Sequence, residues 1–105
     1  MYIADVHGTY IINLNGTVTY TVWVTIKDIN GNVVPGARVM NQAIFGLDTK
    51  PTVNLTATTN ENGIATFVVG STSHWMFMSV ENVIKLGYTY LEELNLEDGI
   101  EISAW

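Results

Sequence analysis

Two histidines, His7 and His74, and ten Asp and Glu are the groups in this 105-residue sequence best suited to moving a proton. A Ser-His-Asp arrangement needs an imidazole oriented by a carboxylate and facing a hydroxyl. Asp5 lies beside His7, just past the first strand, and Ser71 and Ser73 precede His74, but no Ser sits in a G-x-S-x-G elbow. Both histidines therefore read as solvated loop residues, and we expect no catalytic residue and no enzyme. Glycoside hydrolysis needs two carboxyls facing each other across a cleft. Here Glu92, Glu93, Glu97, Asp98 and Glu101 crowd the last fourteen residues. That crowding reads as a solvated acidic edge, which discourages strand-to-strand aggregation.

Calcium is the stronger metal alternative. Asp28-Ile29-Asn30-Gly31-Asn32 presents oxygen ligands at alternating positions, as hard-cation loops do. An EF-type loop continues to a bidentate Glu at its twelfth position, which here is Val39. Asn-Gly turns also form without metal, so the plainer reading is a bare turn, with no cofactor. The calcium alternative rests on Asp28 and Asn30, and on Glu97 and Asp98 in the later acidic stretch.

Aromatic side chains can stack on sugar rings or anchor a protein partner. Trp23 falls on the outward face of its strand, as do Phe77 and Tyr2, while Tyr10, Trp75, Tyr88, Tyr90 and Trp105 lie near strand ends or loops. The candidates for such contact are Trp23, Trp75, Tyr88 and Tyr90. The reading we favour is that marginal aromatics complete a small core. Asn15-Gly16-Thr17 and Asn54-Leu55-Thr56 fit the N-glycosylation pattern, a match short enough to arise by chance.

These residues must be positioned by strands. Thr, Val and Ile supply 35 of the 105 residues, and all three are stiff and favour strands. Hydrophobic residues make up 48% and charged residues 13%, which excludes a disordered chain. The absence of cysteine removes disulfides, thiolate metal sites and thiol nucleophiles. A net charge of −6, with Lys27, Arg38, Lys50 and Lys85 scattered singly, leaves no basic patch for nucleic acid or an anionic membrane. No apolar run reaches the length of a membrane-spanning helix, and no basic-then-apolar start marks a signal peptide.

Period two is clearest from Val18 to Asp28, where Val18, Tyr20, Val22, Val24 and Ile26 alternate with Thr19, Thr21, Trp23, Thr25 and Lys27. The first set is expected to face the core. Asn30-Gly31 then reverses the chain, and Pro35-Gly36 bends it again. Ala37, Val39 and Asn41 share one face of the next strand, and residues 43–51 read as a loop into which Ile44, Phe45 and Leu47 tuck. Val53, Leu55, Ala57 and Thr59 alternate in a strand that turns at Asn60-Glu61-Asn62-Gly63 and is expected to form a hairpin with Ile64–Val69. Met76, Met78 and Val80 form an inward face. Tyr2, Ala4 and Val6 alternate with Ile3 and Asp5 at the start, and Ile100, Ile102 and Ala104 end the chain. Leu91–Leu94 suits one helical turn. The sum is a single domain over 1–105, an all-β antiparallel Greek-key sandwich of about seven strands.

The run from Val22 to Val39 resembles the V-x-D-x-N-G-x-P-V-x-G-A-x-V signature of bacterial Ig-like modules, shared by invasin-type and transthyretin-like or carboxypeptidase-regulatory-like sandwiches. Thr59 to Phe67 is similar to their T-x-x-x-G-x-A-x-F segment. Val80-Glu81-Asn82-Val83 with Gly87-Tyr88-Thr89-Tyr90, and Met1 to Gly8, resemble the ends of modules appended to secreted hydrolases, subtilisin-like peptidases among them. Where that subgroup carries Trp after the G-A-x-V strand, this chain has Ile44-Phe45-Gly46. The resemblance implies a non-catalytic accessory module of an extracellular or cell-surface protein, monomeric in isolation. It would stabilise, space or tether an attached hydrolase domain. The alternatives are an adhesion or carbohydrate-binding module that uses exposed aromatics, and a structural decoration of a phage particle or cell-surface array.

Overall fold

The computed structural model describes residues 1–46 and 52–104. The alternation in β2 (Val18–Lys27) is complete, since Val18, Tyr20, Val22, Val24 and Ile26 have no exposed surface. This strand lies between β1 (Tyr2–Ile12) and β5 (Ile64–Ser71) in a three-stranded sheet. The facing sheet has four strands in the order β4 (Val53–Thr58), β3 (Arg38–Phe45), β6 (Trp75–Ile84) and β7 (Gly99–Ser103). Every pairing is antiparallel. The chain crosses between sheets after β2, β4 and β5, and β6 returns beside β3 in a Greek-key path. Val39, Ala43, Met76, Met78 and Ile102 of one sheet meet Ile3, Val6, Val22, Val24, Ala65 and Phe67 of the other. Removing each large apolar side chain from water is worth about 1.5–3 kcal/mol, which is what holds the two layers together.

Four features differ from the sequence expectation. First, Ile3 and Val6 are buried on one side of the opening strand, where the sequence alternation puts Val6 on the same face as Tyr2 and Ala4. A bulge between Ile3 and Asp5 inserts a residue against β2 and reverses the alternation. Second, β1 runs on to Ile12, paired with β2 as far as Val18, so His7 lies within a strand. Third, residues 43–45 belong to β3, with Phe45 packed on the core and Ile44 turned outward; Leu47 and the rest of the expected loop to Pro51 lie outside the described residues.

Fourth, β4 and β5 do not form a hairpin, because β4 pairs with β3 and β5 with β2. The reason is Thr59, which is buried and tied to the β2–β3 connection. Its hydroxyl donates to the Val34 carbonyl at 2.6 Å and accepts from the Ala37 N–H at 2.8 Å. Its own N–H donates to the Ala37 carbonyl, and its carbonyl accepts from Gly36. β4 thus ends against one sheet, and the next turn delivers β5 to the other. Gly63 makes that delivery with φ +75°, and a Cβ there would meet the Ile26 carbonyl oxygen at 2.9 Å.

The acid-rich C-terminal stretch has a place in this frame. A 3₁₀ turn at Glu92–Leu94 stands where one helical turn was expected. The segment around it runs along the free edge of β1. The Asn95 side chain accepts from the Ile3 N–H, the Glu97 carboxylate from the Val6 N–H, and the Leu96 N–H donates to Ile3. Covering an edge in this way removes its capacity to pair with another chain.

Candidate functional site

The outer face of the three-stranded sheet is built by register. His7, Trp23 and Thr66 form one row across β1, β2 and β5, Thr9, Thr21 and Val68 the next, and Asp5, Thr25 and Ile64 the row on the other side. The bulge at Ala4 sets this arrangement. It turns Val6 inward, so that Asp5 and His7 both project to the outside, two residues apart on the same face.

There the Asp5 carboxylate binds Nδ1 of His7 at 2.6 Å. The imidazole stacks on the Trp23 indole with ring centroids 5.1 Å apart and planes 21° from parallel. The Asp5 and His7 side chains are each about half exposed, so the pair contributes little to stability in water. Its effect is geometric: the carboxylate orients the imidazole, which lies against the indole. The result is an oriented aromatic surface bordered by the hydroxyls of Thr9, Thr21, Thr25 and Thr66. Apart from the Asp5–His7 pair, the ionic group on the strands of this face is Lys27 at the end of β2.

The other aromatics expected to share a site are dispersed. Trp75 opens β6 in the opposite sheet, half-buried, with its backbone tied to the Ser73 hydroxyl. Tyr88 is exposed, and the Lys85 ammonium lies 5.7 Å from its ring centroid. Tyr90 packs against the core, and its hydroxyl accepts from the Asn95 side chain at 2.7 Å. Trp105 lies outside the described residues. Trp23 is the member of the set with an oriented ring partner on a sheet face.

Tyr90 and Tyr20 carry a pH consequence. Burial raises the pKa of each above the ordinary tyrosine value of 10.0. In the unfolded chain these phenols ionise near that ordinary value, while in the fold they hold their protons longer. Stability is therefore unaffected by them below about pH 10 and falls as pH rises past it. Thermal midpoints measured from pH 8 to 11.5 are expected to be flat and then to drop. A midpoint that rises above pH 10 contradicts the assignment.

Asp28 and Asn30 occupy a self-contained turn. Asp28 Oδ1 accepts from the Asn30 and Asn32 N–H groups at 2.9 and 3.0 Å. Asn60 does the same for Asn62 and Ile64 with a neutral side chain, so forming this turn does not require charge. Glu97 binds β1, and the Asp98 carbonyl accepts from the Val80 N–H. Among the described residues no three His, Asp or Glu side chains converge as a metal site does. The hydroxyls of Ser71 and Ser73, next to His74, bind nearby backbone groups.

Sequence reasoning picked out Trp23 and noted Asp5 beside His7, but it did not join them. The signal that could have joined them is the cross-strand register of β1, which the bulge conceals. No protein-family model, curated protein or solved structure matches this chain.

Proposed function

We propose that this chain is a non-catalytic Ig-like accessory module of an exported protein, and that it tethers an attached catalytic domain to surface polysaccharide. The observation that carries the reading is the Trp23 indole, held by His7 and Asp5 on a hydroxyl-rich face. A sugar ring presents axial C–H groups to an aromatic face and hydroxyls to its surroundings, and this surface offers a partner for each. The sparse charge of the face suits a neutral polymer better than a protein or polyanion steered by charge.

Retention on insoluble neutral polysaccharides, measured as the bound fraction after washing, tests the reading. The chain is expected to be retained on at least one of them, and Trp23→Ala is expected to lower affinity by roughly tenfold or more, as loss of a binding hot spot does. Trp23 is on the outer face, so circular dichroism should show the fold unchanged. Equal retention of the two proteins overturns the reading. The tethering role is tested by the mass of the native polypeptide in culture medium, detected with an antibody to this domain. A band well above 11.6 kDa supports it, and a free species of that mass inside cells overturns it.

A further inference from the structure

The four-stranded sheet carries a concavity of about 340 Å3 on its outer face, away from the Trp23 platform. Its lining includes Met40 and Gln42 of β3, Asn54 and Thr56 of β4, and Glu81 of β6, with Asn41 and Leu55 between them. This volume is at the lower end of the range that small-ligand sites occupy. No aromatic side chain is among its lining residues.

Three features make it more than a solvated stretch of sheet. Gln42 and Asn54 are direct cross-strand partners, as are Met40 and Thr56, so the two amides lie side by side with a thioether next to them. Directly opposed residues hold their Cβ atoms about 5 Å apart. In addition, β6 is bulged here: Met40 pairs with Asn82 and Asn41 with Val80, which leaves Glu81 as the extra residue. A bulge bends its strand and re-aims a side chain. Glu81 is further positioned by the Ser79 hydroxyl, which donates to its Oε1 at 2.6 Å. A carboxylate can accept about four hydrogen bonds, so the Ser79 contact leaves most of that capacity.

We infer that this concavity is a second ligand site, specific for a neutral acetamido sugar. Each primary amide of Gln42 and Asn54 offers a donor and an acceptor, which complement the N–H and carbonyl of an acetamido group. The Met40 side chain supplies a soft apolar contact for its methyl. Glu81 accepts from sugar hydroxyls and repels uronate or sulfated sugars, as does the net charge of −6. The site is on a different sheet from Trp23 and stands independently of the function proposed for that face.

Titration of the 15N-labelled chain with chitotriose, followed by amide shift mapping, tests the inference. Saturable shifts are expected at Met40, Gln42, Asn54, Thr56 and Glu81. The Gln42→Ala/Asn54→Ala double variant should bind roughly tenfold more weakly or worse, and Trp23→Ala should bind as the parent does. Cellotriose, which has the same length and no acetamido group, should bind at least about tenfold more weakly than chitotriose. Both alanine substitutions are on outward-facing positions, and dispersion of the same spectra verifies folding. The inference is overturned by the absence of shifts, by shifts centred on His7, Trp23 and Thr66, by an undiminished response of the folded double variant, or by equal binding of cellotriose.

Discussion

Thr59→Val is expected to destabilise the fold by about 2–5 kcal/mol, although it preserves the branching and nearly the volume of the side chain. The hydroxyl it removes serves two buried backbone groups at once, accepting from Ala37 and donating to Val34. Ala37 and Val34 have no exposed surface, so water cannot replace the lost partner. Leaving a buried donor or acceptor unmade costs about 1–3 kcal/mol for each group, and here there are two. The total stability of a small domain is about 5–15 kcal/mol, so one oxygen atom accounts for a large share of it. Thr59→Ser separates hydroxyl from methyl. It keeps both hydrogen bonds and loses one methyl group, at a cost of about 1 kcal/mol. Urea unfolding midpoints should therefore fall in the order parent, Thr59→Ser, Thr59→Val. If the valine variant is as stable as the serine variant, the hydroxyl clip is not what fixes the crossing between sheets.

That clip also shows which parts of the fold were legible in the sequence. The turns were, because Asn30-Gly31 and Asn62-Gly63 supply the positive φ that a reversal needs, and Gly31 and Gly63 adopt it at 82° and 75°. The central strand was legible as well. With one face buried and the other open, each residue of β2 had to declare its side. The partner of each strand was not legible. Val53–Thr58 and Ile64–Ser71 are joined by a short turn, which ordinarily signals a hairpin, and only the buried Thr59 reveals that the turn crosses between layers. One Thr among thirteen gives no such warning.

Both surface sites were hidden for a related reason. A β-bulge is an event of the backbone with no fixed residue signature, and two of them do the positioning. The bulge near Ala4 brings Asp5 and His7 to the face that Trp23 occupies. The bulge at Glu81 presents a carboxylate beside Gln42 and Asn54 and also reverses the parity of β6, which is why Val83 follows Met76 and Met78 into the core. Residue types suggested aromatic contacts with a ligand, but only register shows which aromatic has neighbours that can orient it.

Asn41→Leu is expected to have the opposite sign to Thr59→Val, raising stability by about 2 kcal/mol. Asn41 shares the inward face of β3 with Val39 and Ala43 and is 2% exposed. Neither its amide nitrogen nor its amide oxygen has a hydrogen-bond partner. It is the converse of Thr59, a polar group in the same core whose hydrogen-bonding capacity is unused. Leucine has the same branching at Cγ, so the change replaces two unsatisfied polar atoms with two methyl groups in nearly the same places. Relief of the unmade hydrogen bonds contributes about 1–3 kcal/mol for each group, offset by about 1–3 kcal/mol for the larger methyls in a packed interior. For a domain of this size each 1 kcal/mol moves the midpoint by roughly 4–8 °C, so calorimetry should show an increase of roughly 10 °C. Asn41→Ala tests the same point without the added bulk. It removes the orphaned amide but leaves a void, and it should fall below the leucine variant. A midpoint lowered by leucine contradicts the expectation that the unpaired Asn41 amide is a net cost to this core.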